Sequence, residues 1–496
     1  MKNDREKSRL LMTEEKISIA IAEGDGIGPE IMAVTLQLLE ASEAPLKITP
    51  VEIGEKVYLK GHSTGIEPKT WETLKNCAAF LKAPITTPQG GGFKSLNVTV
   101  RGMMGLYANV RPCVAYYPYV ATKHPGMDVV IVRENEEDLY TGIEYRQTGD
   151  EVIHALKIIS RAGCERIVRY AFNYAVVNGR KKVTCFTKDN ILKYSDGLFH
   201  RVFDEIGAEY PDIEKEHWIV DIGAAKLADT PGVFDVIVMP NLYGDILSDV
   251  AAQIAGSVGL AGSANIGEKG AMFEAIHGSA PRRAGQNLAN PSGLILAAVQ
   301  MLVYVGLPQA ASTIHNAWLK TLEDGIHTYD IFDASTSKQK VGTKEFGLAV
   351  KERMGETPNH FKVVNYQAKM GSEEHHEVKR KSVKKELVGV DIFIDLHTTP
   401  DLLEKKISAA NQKGPLKLIK IHNRGLCVWP VVPTGLSYVD QWRCRFTAQE
   451  KGGKVSAADL IATIQHLTDD GLDVIQTQNL YKFDGVPVYS RSEDEN

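Results

Sequence analysis

The stretch KISIAIAEGDGIGPEIMAVTLQL, Lys16 to Leu38, sets the fold class. Lys16–Glu23 is a buried-strand pattern. The glycine-rich GDGIGPE breaks it. Pro29 suits the start of a helix, where a missing N–H leaves nothing unpaired. Ile31, Val34 and Leu38 then recur at helical spacing. The same alternation continues downstream. Asp128–Val132 (DVVIV), Lys182–Phe186 (KVTCF) and Phe234–Met239 (FDVIVM) read as buried strands, and Ser195–Ile206 reads as one of the helices between them. Strands alternating with helices predict an α/β architecture with helices covering the sheets.

Composition changes near Tyr366. Lys369–Glu386 is nearly devoid of large apolar side chains and reads as a solvated linker. Beyond it come strand VGVDIFIDL, helix PDLLEKKISAANQ, strands LKLIKIH and DQWRCRF, helix SAADLIATIQHLTDDG and strand LDVIQTQ. That β-α-β-β-α-β order is ferredoxin-like. The 496 residues thus divide into a large α/β region and a small α+β C-terminal domain, 387–496, behind a charged linker, 367–386.

Hydrophobic residues make up 43% and charged residues 24%, a soluble globular composition that excludes a wholly disordered or fibrous chain. The 57 Lys and Arg are outnumbered by 62 Asp and Glu, so no basic surplus exists to hold nucleic acid. Six scattered cysteines without a Cys-x-x-Cys motif suit reduced thiols in the cytoplasm. No apolar run reaches bilayer length, and the acids among the first residues argue against a targeting peptide.

The most specific chemical signal is NLYGDILSD, Asn241–Asp249, which follows a strand and is expected to open a helix. Asp245 and Asp249, four apart, project from one helical face, with Leu247, Val250 and Ile254 expected to face the core. Two close carboxylates suit Mg²⁺ or Mn²⁺. By themselves they equally suit a capping acid beside a solvated one. Asp221, ending the predicted strand HWIVD, could join them if strand ends converge.

In APITTPQGGGFKSLNVTVRG, Ala83–Gly102, three glycines permit close backbone approach to a ligand. Ser95, Asn97 and Arg101 follow at short spacing, with Arg111 in YANVRPC and Arg133 ending VVIVREN. Loop arginines in an acidic chain suit a substrate with several carboxylates, which guanidinium forks bind in bidentate fashion. A lone arginine is usually a surface ion pair, so that reading requires three to converge. Tyr140 and Lys188 lie just past strands and could transfer protons. GDGIGPE lacks G-x-G-x-x-G spacing and reads as a tight turn. HGSAPRRAGQNLANP, His277–Pro291, precedes a helical stretch and offers backbone amides and two arginines to a phosphate, or a plain basic turn to solvent.

Together GDGIGPE, SLNVTVR, VRP, RENEEDLYTGIE, TKDNI, NLYGDILSD and FEAIHGSAPRRAGQNLANP occur in the order found in the β-decarboxylating dehydrogenases. Within that family the chain resembles the NADP-dependent isocitrate dehydrogenases of the longer bacterial form with a C-terminal extension. The resemblance runs from about Lys16 to Tyr329. It implies a two-domain catalytic region of the isocitrate/isopropylmalate dehydrogenase type, not a Rossmann fold, with 1–106 and 251–366 as a large domain and 107–250 as a small domain carrying dimer contacts. It implies isocitrate binding by Ser95, Asn97, Arg101, Arg111 and Arg133, and Mg²⁺ or Mn²⁺ binding by Asp221, Asp245 and Asp249. Tyr140 and Lys188 match the proton-transferring pair. His277, Gly278, Ser279, Ala280, Pro281, Arg282, Arg283 and Asn290 match the NADP adenosine-phosphate loop, and Thr86 lies near the nicotinamide.

Lys188 and Asp221 serve the neighbouring subunit in this family, so a homodimer with shared active sites is implied, with no nucleic-acid or membrane partner. Isopropylmalate and homoisocitrate dehydrogenases are the alternatives within the family. The former has an apolar segment where this chain has the polar Ser95 and Asn97, which would be left unpaired by an isopropyl group. NAD-using members carry an acid at the position of Arg282, whereas arginine attracts the 2′-phosphate of NADP. The usual Lys-Tyr pair is Arg282-Arg283 here; Tyr329 is retained, and Asp333 falls near a common arginine position. For the tail a binding module is the alternative, since a β-α-β-β-α-β fold can bind RNA through sheet aromatics such as Phe393, Trp442 and Phe446; the basic-aromatic signature of such a reader is missing, so core packing or subunit contact is the better reading.

Overall fold

The Lys16–Glu23 run forms strand β1 (Ile17–Ala22), buried along most of its length between flanking layers. The structure, a computed structural model, describes residues 16–86, 95–149, 152–367, 382–431, 435–450 and 452–491. The chain packs into two units. One comprises Met1–Thr141 with Lys157–Glu374, and the other Gly142–Leu156 with His375–Asn496.

The first unit is built on a ten-stranded sheet. Its other strands are β2 (Leu46–Pro50), β3 (Ala79–Lys82), β4 (Ala108–Val114), β5 (Asp128–Glu134), β8 (Lys182–Thr187), β9 (Glu214–Ile219), β10 (Val236–Met239), β11 (Gly262–Ile266) and β12 (Ala271–Ala275). The hairpin strands β6 (Glu144–Thr148) and β7 (Val152–Ala155) belong to the second unit. The sheet order is β2-β1-β3-β12-β11-β4-β5-β10-β8-β9. Parallel pairing at both ends flanks an antiparallel centre, β12-β11-β4-β5. The near-continuous apolar strands predicted from sequence are buried, as sheets covered on both faces require. The helix behind GDGIGPE runs Gly28–Ala41 with Ile31, Val34 and Leu38 buried, and Ser195–Ile206 lies within Ser195–Gly207.

Two expectations need correction. The strand before Asp221 stops at Ile219, and Asp221 sits in the first turn of the Val220–Asp229 helix, where a carboxylate meets the positive helix end. On the Asn241–Ala255 helix the inward residues include Leu247, Ser248, Ala251 and Ala252, while Val250 is exposed. Small side chains let this helix lie close to the sheet, and that turns its wheel away from Val250.

The second unit carries β15 (Lys385–Asp395), β16 (Leu416–Asn423), β17 (Leu426–Trp429), β18 (Gln441–Ala448), β19 (Asp473–Phe483) and β20 (Val486–Pro487). A minor pair in the first unit, β13 (Ile326–His327) with β14 (Gln339–Lys340), precedes them. The order β17-β16-β18-β15-β19-β20 keeps the four-strand antiparallel core β16-β18-β15-β19 of the ferredoxin-like arrangement and adds a short strand at each edge. Helices Pro400–Ala410 and Ala457–Asp469 cover it through Leu403, Ile407, Leu460 and Leu467. Lys385 and Glu386, read as linker, pair with Phe483 and Lys482 in β15; residues 368–381 of that linker lie outside the described residues. The hairpin Gly142–Leu156 joins this sheet through His154. Its ring meets Phe393 edge-on at 5.5 Å and bonds Gln476 Oε1 and Gln441 Nε2. Trp442 and Phe446 are fully buried. Of the aromatics invoked for RNA stacking, Trp442 and Phe446 are thus core, and Phe393 is partly buried under His154.

Candidate active site

The NLYGD motif opens the Asn241–Ala255 helix directly after β10, so its first turns face the neighbouring strand β5 and the end of it, Arg133. Gly244 is required there. A Cβ would lie 2.5 Å from Arg133 Cγ, so only glycine lets the arginine pass. The Arg133 Nε and Nη2 donate to Asn241 Oδ1 at 2.9 and 2.7 Å, and Nη1 forms an ion pair with Asp245. Tyr140, in a 3₁₀ turn after β5, donates its hydroxyl to the same carboxylate, and the Arg133 guanidinium lies 4.8 Å over its ring. Arg111 on β4 reaches Ser248 Oγ at 2.5 Å and lies 3.5 Å from both Asp245 and Asp249.

Arg101 completes the cluster. The helix Leu96–Met104 places Asn97 and Arg101 four residues apart on one face, with Ser95 at its start. Arg101 is buried against Glu274, at 3.3 Å, which also pairs with Lys82 at 2.7 Å and accepts from Asn265 at 2.9 Å. Arg101, Arg111 and Arg133 are close enough to repel. Burial first, and then these neighbours, push Arg111 and Arg133 below their ordinary values. Asn97 Oδ1 and Arg101 Nε are buried without a hydrogen-bond partner among the described residues. Three buried guanidiniums with idle polar atoms beside them could receive an anion.

The acids respond oppositely. Burial raises both, but for Asp245 the charges of Arg133 and Arg111 and the Tyr140 hydroxyl prevail and lower its pKa. Asp249 stays raised, because Arg111 only partly offsets burial and Asp245 adds to it. A cation between them would relieve that repulsion, and two carboxylates are the hard oxygen donors Mg²⁺ and Mn²⁺ prefer. Tyr140 is raised by burial and by its bond to Asp245, so the phenol keeps its proton at neutral pH.

Lys188 and Asp221 form a separate pair, Nζ to Oδ1 2.7 Å, at the adjacent ends of β8 and β9. The lysine hydrogen bond lowers the Asp221 pKa. No ion pair or hydrogen bond joins them to the Asp245 cluster among the described residues. The group of three metal-type side chains whose ligand atoms lie within 4.8 Å of one another, among the described residues, is Asp189, His200 and His217 rather than the three predicted acids. The rings of His200 and His217 are cofacial, 3.5 Å apart and tilted 14°. Imidazole lone pairs lie in the ring plane, and no ion at bonding distance can lie in both planes, so this cluster is a hydrogen-bonded stack.

The GDGIGPE turn packs between two ligand-loop candidates. Gly26, at φ +61°, lies where a Cβ would meet Ser279 O at 2.0 Å, and Ile27 N donates to that carbonyl. Asp25 Oδ2 accepts from Thr86 N at 2.9 Å and Glu55 N at 3.0 Å, while Thr86 Oγ1 and Ser279 Oγ are 2.7 Å apart. Pro281–Arg283 is a 3₁₀ turn whose two arginines are exposed, with Arg283 4.8 Å over the Tyr329 ring. Asn290 donates to Asp330 at 3.0 Å and accepts from Ser292 N at 2.9 Å, at the entry to the next helix. Burial lowers His277, which therefore stands neutral, and its Nε2 has no partner among the described residues. Gly278 and Ala280 are exposed beside it. Asp333 caps its own turn, accepting from Ser335.

Sequence reasoning missed the supporting residues Asp25, Lys82, Glu274, Asn241 and Ser248. Each is an ordinary polar side chain in sequence, and only Gly26 and Gly244 beside them signal close approach.

Residues 18–350 match the isocitrate/isopropylmalate dehydrogenase family, and 385–495 match the C-terminal domain of bacterial isocitrate dehydrogenase. The chain is 51% identical over 484 residues to isocitrate dehydrogenase [NADP] of Rickettsia bellii, covering 96% of this chain and 99% of that protein. It is 40% identical over 485 residues to the Thermus thermophilus protein of the same name, covering 96% of each. The crystal structure of the TT0538 protein from Thermus thermophilus superposes with a TM-score of 0.92 at 38% identity, covering 98% of this chain and 97% of that one. Isocitrate dehydrogenase from Methylococcus capsulatus superposes at 0.65 and 41% identity, covering 68% of this chain and 99% of its own. With a family match over most of its length and a solved relative at a TM-score of 0.92, the chain belongs to the isocitrate/isopropylmalate dehydrogenase family and carries the C-terminal domain of the bacterial isocitrate dehydrogenases.

Proposed function

We propose that this protein oxidatively decarboxylates isocitrate to 2-oxoglutarate and CO₂ with reduction of NADP⁺, in the tricarboxylic acid cycle. The observation that carries the reading is the convergence of Arg101, Arg111 and Arg133 beside Asp245 and Asp249, together with 51% identity to a protein named for this activity. Three guanidiniums answer the three carboxylates of isocitrate. Ser95 and the idle Asn97 Oδ1 side favour a polar substituent over the isopropyl group of isopropylmalate.

Asp245 and Asp249, joined by Asp221, are the residues to hold Mg²⁺ or Mn²⁺. Bound there, the ion supplies Lewis acidity to the substrate hydroxyl, and NADP⁺ supplies the hydride acceptor. Lys188, as its neutral amine and by way of water and a metal-bound acid, would take the hydroxyl proton. Tyr140, protonated at neutral pH and aimed at Asp245, returns a proton to carbon once CO₂ has left. Arg133, held by Asn241, keeps Asp245 in place. Thr86 and Ser279, tied through Asp25 and each other, hold the nicotinamide side; His277 through Arg283 and Asn290 receive the adenosine phosphates.

The separation of Lys188 and Asp221 from the Asp245 cluster supports a homodimer in which each chain lends this pair to the other's site. Ile222, Ile246 and Val250, on the helices bearing the acids, are exposed apolar side chains that a second copy could cover. Six free cysteines fit a cytoplasmic, reducing setting; no described helix is long and apolar enough to cross a membrane. The test is isocitrate oxidation followed by NADPH absorbance with Mg²⁺, compared with isopropylmalate and NAD⁺. Turnover of isopropylmalate in preference to isocitrate would overturn the reading.

A further inference from the structure

We propose that Lys157 is a positioning residue that fixes both the Tyr140 turn and the Lys188 loop of one chain, segments that in the dimer proposed above serve two different sites, an inference that rests on reading those two residues as proton-transferring groups. Lys157 touches neither. Its Nζ lies 2.7 Å from Asp196 Oδ1 and 3.5 Å from Asp138 Oδ1, over the Tyr243 ring at 4.7 Å. Both aspartates are fully buried, and Lys157 is the one cation paired with either among the described residues.

Each aspartate spends its other oxygen on the catalytic framework. Asp196 Oδ2 accepts from the backbone N–H of Lys188 at 2.7 Å and from the Tyr243 hydroxyl at 3.2 Å. Asp138 Oδ2 accepts from Leu242 N at 2.9 Å, in the first turn of the helix that carries Asp245. Asp138 stands two residues before Tyr140 in the left-handed region, φ 67°, and its N–H bonds Ile158 O, next to Lys157. One ammonium thus ties together the Tyr140 turn, the start of the Asp245 helix and the Lys188 backbone. Burial works against its charge, but Asp196 and Asp138 outweigh it and hold Lys157 above its ordinary pKa. Without the ammonium the bridge between the two aspartates is gone, and the turns they hold lose their common tie, whether or not both carboxylates keep their charge.

The test compares wild type with Lys157→Met, Lys157→Arg and the double variant Lys157→Met/Asp196→Asn. The double variant removes one buried charge with the lysine yet keeps an amide oxygen for Lys188 N–H, so it guards against loss of folding in Lys157→Met. Misplacing reacting groups by about an ångström costs roughly tenfold to a hundredfold in rate. We expect kcat for isocitrate to fall by that factor in Lys157→Met and in the double variant, with the KM for isocitrate changed less than about threefold. Lys157→Arg should recover most of the loss. Amide exchange should rise in the Lys188 loop and the Asp138–Thr141 turn, not across the whole unit. Wild-type kcat in the folded double variant, exchange raised uniformly, or no recovery with arginine would each overturn the proposal. A wild type inactive on isocitrate would instead overturn the functional reading beneath it.

Discussion

Lys82 and Glu274 form a 2.7 Å ion pair, both side chains buried, at paired register positions of β3 and β12. The glutamate also holds Arg101. Burial raises its pKa, but Lys82 and Arg101 prevail and hold it at about 2, against an ordinary 4.5. The folded state therefore prefers the carboxylate. Its stabilising contribution is present above pH 4.5 and is lost as pH falls through about 2. The shift corresponds to roughly 3 kcal/mol. Urea unfolding of Glu274→Gln should show a gap of about that size from wild type at pH 7 that shrinks below pH 4.5. A gap independent of pH would count against this account.

Asp245→Asn should keep the fold, because Asn241 still holds Arg133, yet lose Mg²⁺- or Mn²⁺-dependent turnover. The loss should be at least the roughly 10–100-fold seen when a ligand's supporting partner is removed. Mn²⁺ titration by electron paramagnetic resonance reports the binding directly. Unchanged titration with full activity would remove Asp245 from the metal site.

Tyr140 and Lys188 should separate by step. Tyr140→Phe keeps the ring under Arg133 but deletes the proton donor, so it should impair decarboxylation of oxalosuccinate and protonation of its product most. Lys188→Met should suppress oxidation of isocitrate, since the hydroxyl proton loses its acceptor. Single-turnover assays with each substrate distinguish the two. Equal failure at one step would contradict this division.

Arg282 is exposed and not committed to an ion pair among the described residues, so it is available to a 2′-phosphate. Charge-assisted hydrogen bonds of about 1.5–3 kcal/mol each imply roughly tenfold to a hundredfold weaker NADP⁺ use when one is lost. Arg282→Asp should exceed that by adding repulsion, with NAD⁺ use little changed. The measurement is kcat/KM for both cofactors, and an unchanged ratio would make the arginines a solvated turn.

Truncation after residue 374 should strip the hairpin of Gln441, Gln476 and Phe393, the partners of His154. Melting temperature or oligomeric mass should therefore change more than the kinetic constants of the surviving enzyme. Mass measured by light scattering beside kcat and KM checks this.

The alternation of strands and helices, the β-α-β-β-α-β tail and the identity of the charged candidates are legible along the chain alone. Those properties are local: side-chain period, proline placement and motif order are written along the chain. NLYGDILSD declared a helix with two acids on one face without its neighbours. That Arg101, Arg111 and Arg133 meet is a product of folding, because they arrive from a helix and two different strands. Folding also set Asp221 in a helical turn, turned Val250 outward, and gave Gly142–Leu156 to the C-terminal unit. Lys157 and Glu274 were invisible in sequence for the same physical reason. A buried charge acquires its meaning from partners distant along the chain, and only folding brings these within a few ångströms.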